Sequence, residues 1–281
     1  MNPQNLNAQR ALQARIASVR DRIAAAAACA GRSVDSITLV AVSKGQPAEV
    51  VRAAAAAGLT QFGESYPQEA LAKLEAFAKL EALAALPAPQ DPDTSTRHAQ
   101  IPPQPPVAPP AANALVWHFV GRLQANKTRA IAERFDWVHG IDRLRIAERL
   151  SQQRPYHAAP LSVCIQVNIA DEASKGGVSV EELPELAAAV AALPRLRLRG
   201  LMCIPPEESE PARQRRWFGQ LRGLLETLNT ETLNTQEGLL DTLSMGMSGD
   251  LESAVLEGAT CVRIGTALFG PRPDKALALP T

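Results

Sequence analysis

Eight short β-rich runs alternate along this chain with helix-patterned segments, and that rhythm restricts the fold more than any other feature. The runs are Ile37–Ser43, Gln61–Glu64, Val116–Gly121, Trp137–Ile141, Leu161–Ile169, Leu198–Ile204, Thr242–Gly246 and Cys261–Gly265. Helical patterns separate most of them, at Pro47–Ala57, Tyr66–Leu86, Lys127–Arg134, Arg143–Gln153, Ser179–Leu193, Arg213–Leu228 and Asp250–Glu257. A strand that reaches the next one through a helix runs parallel to it, because the crossover returns the chain to the same end of the sheet. Eight such units in 281 residues predict a closed (β/α)8 barrel, with an open doubly wound sheet as the alternative. Ahead of them, the Ala-rich segment Asn5–Ala30 carries Leu6, Leu12, Ile16, Val19 and Ile23 at mostly helical spacing, and Gly31 ends it. It is expected to pack as an extra helix outside the barrel. Ser179 with Glu182 reads as a capping box, and Asp142 reads as an N-cap.

The rhythm breaks once. Residues 87–114 hold nine prolines, Pro87, Pro89, Pro92, Pro102, Pro103, Pro105, Pro106, Pro109 and Pro110, with few apolar anchors. This is expected to be a flexible or polyproline insertion within one barrel domain spanning 1–281. Its PPQPP run has the composition that aromatic-lined grooves bind, but composition favours a linker. A tandem ETLNT, Glu226–Thr230 and Glu231–Thr235, is expected only to lengthen a helix or loop.

Composition excludes some function classes. Lysine plus arginine equals aspartate plus glutamate at 29 each, so no global field recommends nucleic acid or an anionic membrane as partner. No apolar stretch reaches the roughly 20 residues of a membrane span, and Met1–Arg10 is polar rather than a signal sequence, so a cytoplasmic protein, and a monomer, is expected. Cys29, Cys164, Cys203 and Cys261 are widely separated without metal-ligand spacing, and read as reduced core residues.

Chemistry is expected at the carboxyl ends of the strands, where barrels of this kind place their sites. Lys44 stands at the tip of the first run, before Gly45. Partial desolvation there would favour a neutral amine able to form a Schiff base with an aldehyde, although a lone strand-end lysine is more often a plain surface residue. After the seventh run comes Ser244–Asp250, in which Gly246 and Gly249 let backbone N–H groups approach an anion and Ser248 is placed to cap the next helix. After the eighth come Arg263, Gly265 and Thr266, and the two loops side by side would cradle one phosphate. Asp250 and Glu252 would then have to face outward. His118 and Asn168 also lie near strand ends, where a hydrogen-bonded core histidine and a turn-capping asparagine are the plainer alternatives to pocket-lining roles.

A lysine that captures an aldehyde beside a phosphate cradle suits pyridoxal 5′-phosphate. The segments AVSKGQP (41–47), FGESYPQE (62–69), WHFVGRLQANK (117–127), QVNIADEASKGGV (166–178), RGLMCIP (199–205), LSMGMSGD (243–250) and VRIGTALFG (262–270) together resemble the YggS/PROSC family of pyridoxal phosphate homeostasis proteins. The resemblance implies a barrel like the N-terminal domain of alanine racemase that holds pyridoxal phosphate as a lysine aldimine and supplies it to apoenzymes without established turnover. It assigns Lys44 to the aldimine, Arg263 to the pyridine nitrogen, and Ser248, Gly265 and Thr266 to the phosphate, and by their places at strand ends Gly246 and Asn168 are also expected to bind the cofactor. An amino-acid racemase is the competing function, and a scaffold using the Pro-rich segment is a third. One departure stands out: Ser65 replaces the asparagine usual in FGENY, which puts cofactor contact there in doubt.

Overall fold

The computed structural model describes residues 3–84, 115–172, 176–232 and 239–271, so the Pro-rich segment and Lys175 lie outside the described residues. The strands are β1 (Thr38–Val42), β2 (Gln61–Glu64), β3 (Val116–Phe119), β4 (Trp137–Ile141), β5 (Leu161–Gln166), β6 (Leu196–Met202), β7 (Thr242–Ser244) and β8 (Cys261–Ile264). They pair in chain order, all parallel, and β8 closes on β1 with Val40 opposite Arg263. The sheet is therefore a closed barrel, and the open doubly wound alternative is excluded.

The helices are α1 (Pro3–Cys29), α2 (Ala48–Ala56), α3 (Pro67–Ala84), α4 (Thr128–Arg134), α5 (Leu144–Gln153), α6 (Leu183–Ala191), α7 (Pro211–Thr227), α8 (Leu251–Leu256) and the short α9 (Thr266–Phe269). In α1 the buried residues Leu12, Ile16, Val19, Ile23, Ala26 and Ala27 recur every three or four positions, and this stripe packs outside the barrel, while Leu6 is exposed. Polar ties lock that helix over the closing seam. Arg15 Nε donates to Leu268 O at 2.7 Å, and Arg22 pairs with Glu252 at 2.6 Å.

Outward-facing strand residues such as Ala41, Phe62, Phe119, Val138, Ile165, Leu243 and Val262 join the helices in one apolar cluster. A small separate cluster, Val40, Val42, Val120 and Cys261, lies inside the barrel. Register shifts in the β4–β5 pair between Val138 and Ile141, which puts both of those residues on the outer side although their spacing is odd. A bulge of this kind adds a residue on one strand and re-aims the side chains beyond it.

Three local expectations need correction. Only half of the capping box forms, with Glu182 N–H donating to Ser179 Oγ at 3.2 Å while the Glu182 carboxylate accepts from the Ser179 hydroxyl at 3.0 Å, and the helix starts later, at Leu183. Pro184 sits in its first turn, and a proline N, lacking hydrogen, cannot continue a ladder begun earlier. Asp142 caps nothing: Arg143 is the N-cap of α5 and makes no side-chain cap bond, and the Asp142 carboxylate accepts from Arg143 Nη1 at 2.9 Å. Cys29 is exposed, whereas Cys164, Cys203 and Cys261 are buried as expected. The first ETLNT copy ends α7 and enters a π-helical turn at Leu228–Thr232. Among the described residues no helix is long and apolar enough to cross a membrane.

Candidate functional site

Lys44 stands two residues past the end of β1, at the carboxyl mouth of the barrel; within the strand Val40 and Val42 belong to the interior cluster and Ala41 to the outer one. The chain then turns sharply. Gly45 adopts φ 76° and Gln46 N–H donates to Ser43 O at 3.0 Å. Lys44 is half-buried in this turn.

The turn is held from below by a buried ionic cluster that the sequence reading missed. Lys73 Nζ, on α3, donates to Ser43 O at 2.7 Å, to Glu64 Oε1 at 2.6 Å and to Glu69 Oε1 at 3.0 Å. Ser43 Oγ donates to Glu64 Oε1 at 2.6 Å, and Gly45 N–H donates to Glu69 Oε1 at 2.5 Å. Both residues flanking Lys44 are therefore pinned by main-chain bonds to the cluster. Burial pushes the Glu64 carboxyl above its ordinary range, while the Lys73 ammonium pulls it back down. Removing one member of such a cluster leaves the others charged and unpaired, which typically costs about 3–5 kcal/mol. Its signal was present in the sequence, in Glu69 and Lys73 spaced four apart on a helix.

Arg263 lies across from Val40 on the neighbouring strand and is 5% exposed. Its Nη1 donates to Ser244 Oγ at 2.8 Å and its Nη2 to Cys203 O at 2.9 Å. These two anchors come from β7 and from just past β6.

The two glycine-containing loops do meet. Ala267 N–H, in the first turn of α9, donates to Ser248 Oγ at 3.2 Å, so Ser248 lies beside Gly265 and Thr266. Ser248 thus serves α9 rather than the helix that comes after it; Asp250 is the N-cap of α8. Gly246 has φ 95°, and a Cβ there would come within 2.6 Å of the Ala254 side chain, so this bend needs glycine. The two acids of this loop are spent elsewhere: Asp250 Oδ1 accepts from Met247 N–H at 2.5 Å and Glu252 is held by Arg22.

Other expected residues divide. Asn168 lies just past β5 at the same mouth, but its side-chain amide closes its own loop, donating to Glu172 O at 3.0 Å and accepting from Glu172 N–H at 3.1 Å. Ser65 lies just past β2, and its backbone passes so near Gly121 that a Cβ on Gly121 would fall 2.0 Å from Ser65 O. His118 is a buried barrel residue, bonded through Nε2 to Gln61 at 2.8 Å and through Nδ1 to His139 at 2.9 Å, which is the plainer of its two expected roles. A cavity of about 500 Å³ opens at the opposite, amino end of the barrel, lined by Gln61, His118, Trp137, Arg199, Asp241 and Cys261 among others. Lys44 and the glycine loops take no part in it.

The family model described as alanine racemase, N-terminal domain, matches residues 14–273. Over 257 residues the chain is 51% identical to the pyridoxal phosphate homeostasis protein of Pseudomonas aeruginosa, covering 92% of this chain and 94% of the relative. It superposes on PipY of Synechococcus elongatus, solved with PLP bound, with TM-score 0.69 and 32% identity over 92% of this chain and all of that one. Alanine racemase of Corynebacterium glutamicum shares the fold at TM-score 0.57 and 17% identity, over 92% of this chain but 62% of the racemase.

Proposed function

The chain belongs to the alanine racemase N-terminal domain family and, within it, to the pyridoxal phosphate homeostasis proteins, and on that premise we propose that it binds pyridoxal phosphate covalently and keeps it in reserve for apoenzymes. One observation carries the reading. Lys44, Arg263 and the paired Ser248 and Thr266 loops come from adjacent strands, β1, β8 and β7, at one mouth of the barrel. The donor set there fits a phosphorylated pyridine aldehyde. It offers a primary amine, a guanidinium and two hydroxyls, while Asp250 and Glu252 are turned into other bonds.

When bound, the cofactor supplies an aldehyde that condenses with amines and a ring that withdraws electrons. Lys44 would provide the attacking nitrogen, and the Lys73–Glu64–Glu69 cluster fixes the turn from which it reaches. Ser248 Oγ and Thr266 Oγ1 would give the phosphate hydroxyl donors. Arg263 would face the ring nitrogen with N–H groups only, since a guanidinium accepts nothing. It would therefore leave that nitrogen without a proton of its own and keep the ring a weak electron sink, which favours holding over turnover.

The racemase alternative also requires a base on the opposite face of the substrate. Of the two tyrosines, Tyr66 lies just past β2 at the carboxyl end and is exposed, whereas Tyr156 cannot serve, because it lies between α5 and β5, at the amino end of the barrel, with Arg195 stacked over its ring at 4.4 Å. The test is borohydride reduction of the purified protein followed by peptide mapping. Label is expected on Lys44 and none is expected in Lys44→Ala; equal labelling of Lys127 would sink the assignment. Deuterium incorporation at Cα of offered L-amino acids is expected to be negligible, and rapid Lys44-dependent exchange would make the protein an enzyme.

A further inference from the structure

Behind Arg263 the barrel interior holds a row of polar groups. From Arg263 it runs down the barrel: Nη1 to Ser244 Oγ at 2.8 Å, Ser244 Oγ to His139 Nδ1 at 2.7 Å, His139 Nε2 to His118 Nδ1 at 2.9 Å, and His118 Nε2 to Gln61 Oε1 at 2.8 Å. Ser244 and His139 are fully buried, and His118 and Arg263 nearly so. Gln61 ends the row at the wall of the amino-end cavity.

The direction of the bonds is set from the far end. Gln61 Oε1 can only accept, so His118 carries its proton on Nε2, and a neutral His118 ring accepts at Nδ1 from His139 Nε2. A neutral His139 then accepts at Nδ1 from the Ser244 hydroxyl, whose oxygen accepts in turn from Arg263, since a guanidinium only donates. Burial agrees, since it pushes His118 down to about 3, and burial with the charges of His118 and Arg263 pushes His139 well below the ordinary histidine value.

We propose that Gln61, His118, His139 and Ser244 are positioning residues, a one-way hydrogen-bonded rail that fixes the rotation of the Arg263 guanidinium and hence the direction in which its remaining N–H groups face the cofactor. The proposal rests on the reading of Arg263 as the partner of the ring nitrogen. A single anchor, Cys203 O, would fix one Nη group and leave the guanidinium free to turn about it. The rail supplies the second point.

Nitrogen-15 NMR of the imidazoles in the cofactor-free protein tests the rail directly. Two neutral rings protonated on Nε2 are expected, and a charged ring or an Nδ1–H tautomer at either histidine overturns it. Ser244→Ala is expected to give mixed tautomers at His139, to shift the visible absorbance of the bound cofactor and to speed its release about tenfold, with borohydride still labelling Lys44. A folded Ser244→Ala protein with parental spectrum and release rate overturns the positioning role. Should that variant not fold, half-buried Gln61 decides. Gln61→Met is expected to lose the single tautomer at His118 and Gln61→Glu, which keeps the acceptor oxygen, to retain it; parental tautomers in Gln61→Met overturn the rail. Failure of Lys44 labelling in the parent would strike the functional reading instead and leave the tautomer result standing.

Discussion

The two faces of the barrel sheet differ in kind. Outward residues are apolar and merge with the helices into one continuous cluster, while the inward face carries a small apolar patch of its own, Val40, Val42, Val120 and Cys261. The rest of the interior includes His118, His139, Thr242, Ser244 and Arg263, all buried. Barrels of this class usually fill their centre with layers of branched aliphatic side chains. Here that space is given to a directional polar row, so stability resides mainly in the outer layer and chemistry in the inner one. A buried polar network of this sort tolerates little change, because an unsatisfied member costs more than an apolar residue in its place.

The largest expected effect comes from damaging the outer layer. Phe119→Ala, at a fully buried outward position stacked edge-on with Phe135, should lose about 3–5 kcal/mol of unfolding free energy yet still accept borohydride label at Lys44 while folded. Denaturant melts with parallel labelling check this, and loss of labelling in the folded variant would show that the two layers are not separable. Ser248→Ala reverses the pattern. One hydrogen bond to a charged phosphate contributes about 1.5–3 kcal/mol, so cofactor release should accelerate at least tenfold with little change in the melt of the cofactor-free protein. Unchanged release kinetics would move the phosphate elsewhere.

Acid probes the inner layer directly. His118 and His139 are held neutral in the folded protein, with His118 titrating near 3 against 6.5 when free. Their contribution to stability is complete above pH 6.5 and is lost as pH falls toward the folded value, because the unfolded chain then binds protons that the folded one refuses. Each ring adds about 1.4 kcal/mol per pH unit to that slope. Urea midpoints between about pH 6.5 and 4.5 should show it, and His118→Gln should flatten it; an unaltered slope would mean that His118 is not held neutral. The smallest effect is expected from deleting Ala88–Pro110, since loop closure costs change slowly with length. Melting and labelling should both match the parent, and a misfolded deletion would show that the segment packs on the barrel.

Period-two and helical patterning made the elements legible in advance. The parallel order, the outer position of α1 and the presence of Lys44 at the tip of β1 all derive from local residue order, because a strand or helix is recognised by the spacing of its own apolar positions. The pairing of the Gly246–Ser248 and Gly265–Thr266 loops was legible too, once closure places β7 beside β8. Partner choice was not. Ser248 bonds the first turn of α9 instead of capping α8, and Asn168 closes its own loop, because several acceptors lie within reach and the packed geometry selects one.

By itself the amino-acid sequence determined the eight-fold strand–helix alternation, the family and the place of Lys44 after β1, all of which reside in short stretches of chain. Only the tertiary structure decided that Lys73 supports the turn of Lys44, and that His139 meets Ser244 across 105 residues of sequence. Inward-facing side chains of a closed barrel are matched by strand stagger and by the bulge in β4, and these are properties of the assembled sheet that no single strand encodes.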